Sequence, residues 1–239
     1  EIQALWHAAL CFLARIDAGS ARENWQALSK RVKSSIKALF WNNALGYLCD
    51  CLHASPGQTA KQALADDALR PNQLLAVTLG AVTETQMARQ ILAACEELLV
   101  PGAIRSLADR PVGRPFEIMR NGKLLIDPYH PYRGKYEGDE DTQRKPAYHN
   151  GTAWTWLFPS FCEAWAIVYG EKGAQTALAW LSSSARLLEQ GCVGHIPEIL
   201  DGDFPHAPRG CDAQAWGASE LLRVWLALSN RDDGSIRGS

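Results

Sequence analysis

The stretch EIQALWHAALCFLARID, residues 1–17, decides the fold class. Ile2, Leu5, Trp6, Ala9, Leu10 and Leu13 recur at the i, i+3, i+4, i+7 spacing of one helix face. DAGSARE, residues 17–23, stops that helix and starts another. Gly19 ends the first, and Ser20 with Glu23 forms a capping box for the second. The second carries Trp25, Leu28, Val32, Ile36 and Leu39 on one side. Residues 42–69 read as irregular. A further helix opens near Pro71, whose fixed φ suits a first turn, and closes near Gly80. Thr83 with Gln86 marks another capped start, running to about Leu99. The helical period returns over Ala153–Tyr169, Ala174–Glu189 and Ala213–Leu228.

Between these lies a long segment, residues 101–148, rich in Gly, Pro and charge. A small bundle has no use for such a loop, and loops of this length are usually functional. Helices joined by alternately short and long connections predict an all-α, barrel-type toroid of helical hairpins, with long loops at one end building a site. A complete ring of six hairpins needs more helices than the chain supplies. The expectation is therefore one domain over residues 1–239, incomplete at its N-terminal side, with a frayed tail from residue 229. Glu1 leads directly into helical pattern, which suggests a piece of a longer polypeptide.

Composition narrows the function. A formal net charge of -2 and a pI near 6.3 give no footprint for nucleic acid or an anionic membrane. No apolar run reaches the roughly 18–20 residues of a membrane span. The 7 cysteines are odd in number and scattered. CDC at 49–51 is not a CxxC pair, and no cluster has zinc spacing, so no metal and no cofactor are expected. Reduced, mostly buried thiols in a cytoplasmic protein are the expectation. Tryptophan is over-used, 9 against 6 Tyr and 6 Phe. Such rings fill cores, and they also make flat walls for the C–H faces of sugars.

GHIPEILDGDFPH, residues 194–206, sets Glu198, Asp201 and Asp203 among Pro, Gly and apolar residues, so it is neither helix nor regular strand. Glu198, between Pro197 and Ile199, is a rigid carboxylate suited to activate water, or alternatively a turn cap. Asp201 and Asp203 suit turn and support roles. YHNGTAWTW, residues 148–156, offers the polar groups of Tyr148, His149, Asn150 and Thr152 beside Trp154 and Trp156, or else a plain helix start. DDALRPNQ, residues 66–73, holds Asp67, Arg70 and Asn72 at a helix N-terminus. Gln214 and Trp216 follow the acidic loop in the first turns of the last helix. GDEDTQRKPAYH, residues 138–149, reads as a solvated rim without EF-hand spacing. No Ser-His-Asp, GxGxxG or Walker pattern is present.

Four blocks together, EIQALWHAAL (1–10), LRPNQLLAVTLG (69–80), AYHNGTAWTW (147–156) and GHIPEILDGDFPHAPRGCDAQAWGASELLR (194–223), resemble the catalytic C-terminal region of glycogen debranching enzymes, the amylo-α-1,6-glucosidase family. The resemblance implies an (α/α)6 barrel. It implies hydrolysis, with inversion, of the α-1,6-linked glucose left at branch points of glycogen or another branched α-glucan. It puts Glu198 at the general base. It puts Asp67, Arg70, Asn72, His149, Gly151, Trp154, Trp156, Gln214 and Trp216 at the pocket. The chain departs from the family pattern at Asn150 and Pro197, where Gln and Ser are common, and in RKPAYH, where an Asp commonly precedes the Tyr-His pair. The family's general acid lies in a Trp-Met-Asp block upstream of Glu1. The chain alone is therefore expected to be inactive and to need the missing N-terminal part of the polypeptide. Other readings are a trehalase-like or oligosaccharide-trimming glucosidase, and a glucan-binding module without turnover.

Overall fold

Small residues set the first helix pair. In a computed structural model that describes residues 1–19 and 21–232, helix α1 (Ile2–Ile16) lies against helix α2 (Arg22–Phe40) and helix α3 (Leu74–Thr78). The buried face of α1 is Ala4, His7, Leu10 and Ala14. His7 Nδ1 lies 3.1 Å from the Ser29 carbonyl of α2. The helix is where the periodicity put it, but most of the apolar stripe faces outward. Ile2, Leu5, Trp6, Phe12 and Ile16 are all exposed. Alanine on the buried side lets two backbones approach, and the larger side chains are left open. On α2 the expected side does turn inward, with Ile36 buried and Trp25, Leu28, Val32 and Leu39 half-buried. Ser20, half of the expected capping box, lies outside the described residues, as do residues 233–239 of the expected tail.

Contacts divide the chain into two compact units. The first comprises residues 1–67 and 72–94. After α2 it forms two short antiparallel ribbons in the stretch read as irregular: β1 (Trp41–Asn42) with β2 (Tyr47–Leu48), and β3 (Leu52–His53) with β4 (Leu64–Ala65). A 3-10 turn at Pro71–Gln73 leads into α3, and Gly80 closes it at φ 75°. Helix α4 (Thr85–Glu96) begins two residues after the expected start, and its last two residues belong to the second unit.

The second unit comprises residues 68–71 and 95–239, of which the structure describes those up to 232. Its centre corrects the all-α expectation. Strands β5 (Leu99–Val100), β6 (Ala103–Arg105), β9 (Ala153–Trp154), β10 (Ile199–Leu200) and β11 (Pro208–Arg209) form one antiparallel sheet in the order β11-β10-β9-β6-β5. The order gathers residues far apart in sequence: Ile104 and Ile199 both pair with Trp154. Val100, Ala103, Ala153 and Leu200 pack with Leu187 and Ile196 into a hydrophobic core. The chain is thus about 48% helical, with small sheets. The loop of residues 101–148 holds strand β6, a two-residue Asn121–Gly122 hairpin between β7 (Met119–Arg120) and β8 (Lys123–Leu124), a π turn at Glu140–Arg144 and the short helix α5 (Lys145–Tyr148).

Helix α6 (Phe158–Leu181) breaks at Gly170, where φ is 66°. Trp165 and Trp180 then meet with ring centroids 4.7 Å apart. In a straight helix fifteen residues span about 22 Å, so the chain folds back here as a helical hairpin. A 3-10 run, Ser182–Glu189, follows. Helix α7 (Ala215–Asp232) packs on α6, and Arg223 donates to both oxygens of Glu163 at 2.9 and 2.7 Å. Because α7 continues to Asp232, residues 229–232 are helical rather than frayed. Of the seven thiols, only Cys49, Cys95 and Cys162 are buried, fewer than expected. Among the described residues no helix is long and apolar enough to cross a membrane.

Candidate active site

Glu198 leads directly into β10, and the sheet fixes its backbone. Its N–H donates to the Cys211 carbonyl at 2.9 Å, and its own carbonyl accepts from the Thr155 hydroxyl at 3.2 Å. The same hydroxyl donates to the Pro197 carbonyl at 2.7 Å. The carboxylate is half-buried, and among the described residues each oxygen accepts one hydrogen bond. Tyr148 donates its O–H to Oε1, and the Cys211 N–H donates to Oε2 at 3.0 Å. These two donors fix the plane of the group. Each oxygen keeps a second acceptor position. Gly210 makes this possible: a Cβ there would collide with Glu198 Oε2.

Aromatic rings cluster beside the carboxylate. Tyr148 sits 5.6 Å from the Tyr136 ring and 4.9 Å from Trp154. His149 stacks on Trp154 at 5.2 Å with planes 4° apart. Burial, and then the hydrogen bond to Glu198, push the Tyr148 hydroxyl well above its ordinary pKa, so it stays a donor. Arg70 holds the loop that carries these rings. Its guanidinium donates to the carbonyls of Ser106 and His149 and, at 2.9 Å, to Asn150 Oδ1. Asn150 is buried and also donates to the Pro146 carbonyl at 2.8 Å. Gly151 takes φ 144°, and a Cβ there would strike the Arg133 carbonyl. Arg70 and Gly151 thus shape the loop, while His149 and Trp154 present its rings.

The other acids of the loop do different work. Asp201 is fully buried and accepts from Arg209 Nε and Nη2 at 3.1 and 2.9 Å. It also accepts from the Tyr136 N–H at 2.8 Å, which anchors the segment carrying that ring. Asp203 is half-buried and accepts the Tyr132 hydroxyl at 2.8 Å. Tyr136 gave no signal in the sequence; long-range bonds bring its segment here, its own N–H to Asp201 and the Gly202 N–H to the Gly134 carbonyl at 2.7 Å among them.

The remaining expected residues fall into two groups. Trp156 and Trp216 stack on each other at 4.1 Å, leaving Trp216 about half exposed. Gln214 lies just before α7, its N–H donating to the Ile196 carbonyl at 3.0 Å. Gln214 Oε1 is buried and, among the described residues, accepts no hydrogen bond. Asp67 and Asn72 belong to the first unit. There the Asp67 carbonyl accepts the Tyr47 hydroxyl at 2.7 Å, and Asn72 donates to the Glu1 carboxylate.

The sequence profile described as amylo-alpha-1,6-glucosidase matches residues 1–114 and 121–223. The chain belongs to the amylo-alpha-1,6-glucosidase family. Of the unmatched residues, 115–120 precede the tip of the β7–β8 hairpin and 224–239 follow the match. The matched span includes Glu198 and every residue placed at the pocket by resemblance. Comparison with curated proteins gives no significant match.

Proposed function

We propose that the chain is part of an inverting glycoside hydrolase that removes α-1,6-linked glucose at branch points of glycogen or a similar branched α-glucan. One observation carries this reading: the Glu198 carboxylate is oriented by Tyr148 and the Cys211 amide beside the rings of Tyr136, His149 and Trp154. In the proposed mechanism Glu198 takes a proton from the water that attacks the anomeric carbon. Tyr148 holds the carboxylate, and the His149–Trp154 face offers the sugar ring an apolar wall. Arg70 and Gly151 act through the loop they shape. Trp156, Gln214 and Trp216 complete the proposed pocket.

An inverting enzyme needs a second carboxyl group, the acid, roughly 6.5–9.5 Å from the base so that water fits between them. We place that acid in a part of the polypeptide upstream of Glu1, within an (α/α)6 barrel in a cytoplasmic enzyme. The exposed apolar stripe of α1 supports this, since Ile2, Leu5, Trp6, Phe12 and Ile16 offer a helix-wide face for further helices.

The test is Glu198→Gln in the intact polypeptide. Limit dextrin, trehalose and short glucosides serve as separate substrates. Glucose release from limit dextrin should fall about 10²–10⁴-fold with unchanged circular dichroism. Turnover near wild type would remove Glu198 from the mechanism. Preference for trehalose would favour the trehalase-like reading. Glucan binding without turnover in the intact wild type would favour a binding module.

A further inference from the structure

We propose that Cys51, His53 and Asp66 form a binding site for a borderline divalent cation, zinc above all, on the β3–β4 ribbon of the first unit. This inference is independent of the glycosidase reading.

The backbone brings the three together. Cys51 and His53 are two residues apart on extended chain, so their side chains leave the same face. Asp66 follows β4, and its N–H donates to the Cys51 carbonyl at 2.9 Å. That bond sets the carboxylate across the ribbon from the thiol. Each residue offers one ligand atom, and all three atoms lie within 4.8 Å of one another. Cys51 Sγ is 3.2 Å from His53 Nε2, and the same Nε2 is 3.2 Å from Asp66 Oδ2.

The two spacings about His53 Nε2, 3.2 Å each, lie close to those of a shared cation. Bonds of about 2.3 Å to sulfur and 2.0–2.2 Å to nitrogen and oxygen, at tetrahedral angles, put neighbouring ligand atoms about 3.3–3.6 Å apart. Hydrogen bonding alone serves His53 Nε2 poorly. Nε2 has either one proton or one lone pair in the ring plane. It can donate to Asp66 or accept from the Cys51 thiol, and it faces both at 3.2 Å. A cation between the three accepts an electron pair from each. A thiolate and a carboxylate also balance a divalent charge, with the imidazole neutral. The Asp66 side chain is 11% exposed and that of His53 is 34% exposed, which leaves an entry path and a fourth position for water. The sequence hid this set because CxH on one strand and an Asp after the next strand match no familiar spacing.

The intact polypeptide, stripped with chelator, should bind one equivalent of Zn²⁺ by titration calorimetry. Co²⁺ in its place should give a thiolate-to-cobalt charge-transfer band in the near ultraviolet. Cys51→Ser should abolish the band. Cys51→Ser and His53→Gln should each weaken Zn²⁺ at least about a hundredfold, since even an outer-shell loss costs 10–100-fold. In the wild type, Zn²⁺ should slow maleimide labelling of Cys51, read by peptide mapping, and leave the exposed Cys11 and Cys192 unaffected. This last measurement needs no variant and decides the matter even if both variants misfold. Absence of saturable Zn²⁺ binding, a cobalt band that survives Cys51→Ser, or unprotected Cys51 would each overturn the site.

Discussion

Glu198 and Asp201 stand three residues apart on either end of one short strand, yet their surroundings differ in kind. Asp201 is fully buried and shares its oxygens with the Arg209 guanidinium and the Tyr136 amide. Its charge is neutralised, and no face is left for a substrate. Glu198 is half-buried and meets two donors that carry no charge, a phenol and an amide. Its orientation is fixed while its charge and one acceptor position per oxygen stay available. Burial with a charged partner makes a tie in the fold, and partial burial with neutral donors makes a reagent. The contrast explains how one loop can hold several acids and offer only one for chemistry.

The strongest way to break the contrast is to exchange the expected effects. Glu198→Gln should cost about 10²–10⁴ in turnover, or roughly 3–5 kcal/mol of barrier, with little change in the urea midpoint. Asp201→Asn should do the reverse. It removes the buried anion and leaves Arg209 with only the more distant Glu137, 3.7 Å away, and losing one member of a buried pair costs about 3–5 kcal/mol. The low end, about 3 kcal/mol, is expected because the Arg209 side chain is 35% exposed. Turnover per folded molecule should stay within about tenfold, the remainder reflecting a looser Tyr136. A stable Asp201→Asn protein without activity would erase the distinction.

The limits of sequence reading follow from the same anatomy. Helices repeat locally, so α1, α2 and both arms of α6 were legible from period alone. The exposed side of α1 was not, because Ile2, Leu5 and Trp6 mark an apolar face without saying what covers it. The central sheet was illegible for another reason. Its strands are two or three residues long, too short for an alternation to register, and Trp154 finds Ile104 and Ile199 only through the tertiary fold. Glu198, His149 and Trp154 could be singled out from their blocks. The residues that orient them could not: Tyr136, Gly210 and the Cys211 amide reach the site through backbone geometry that no local motif encodes.

Tyr148→Phe sharpens the reagent half of the comparison. It keeps the ring contacts with Tyr136, His149 and Trp154 and removes only the O–H that orients Glu198. A hydrogen bond to a charged group is worth about 1.5–3 kcal/mol, so kcat should fall about tenfold or more while KM changes little. The variant also has a pH signature. The folded Tyr148 keeps its proton beyond the ordinary tyrosine pKa of about 10, through burial and then the Glu198 bond. Its contribution to stability is complete below that pH and is lost as pH rises, because the unfolded chain releases the proton first. The stability gap between wild type and Tyr148→Phe should therefore narrow above about pH 10 in urea titrations.

Tyr132→Phe probes the space between the two extremes and should give the smallest effect. The Tyr132 hydroxyl donates to Asp203 Oδ1 at 2.8 Å, and the ring lies 6.0 Å below the Arg105 guanidinium, whose Nε donates to the Gly202 carbonyl at 2.9 Å. Phenylalanine keeps the ring, so Arg105 retains its platform. Asp203 is half-buried, so water replaces the lost donor rather than leaving a bare buried charge. The cost is then one ordinary net hydrogen bond, about 1 kcal/mol in urea unfolding, with turnover unchanged. A loss as large as that of Asp201→Asn would mean that partial exposure does not spare an acid in this loop. Burial would then cease to separate the structural acids from the one proposed for catalysis.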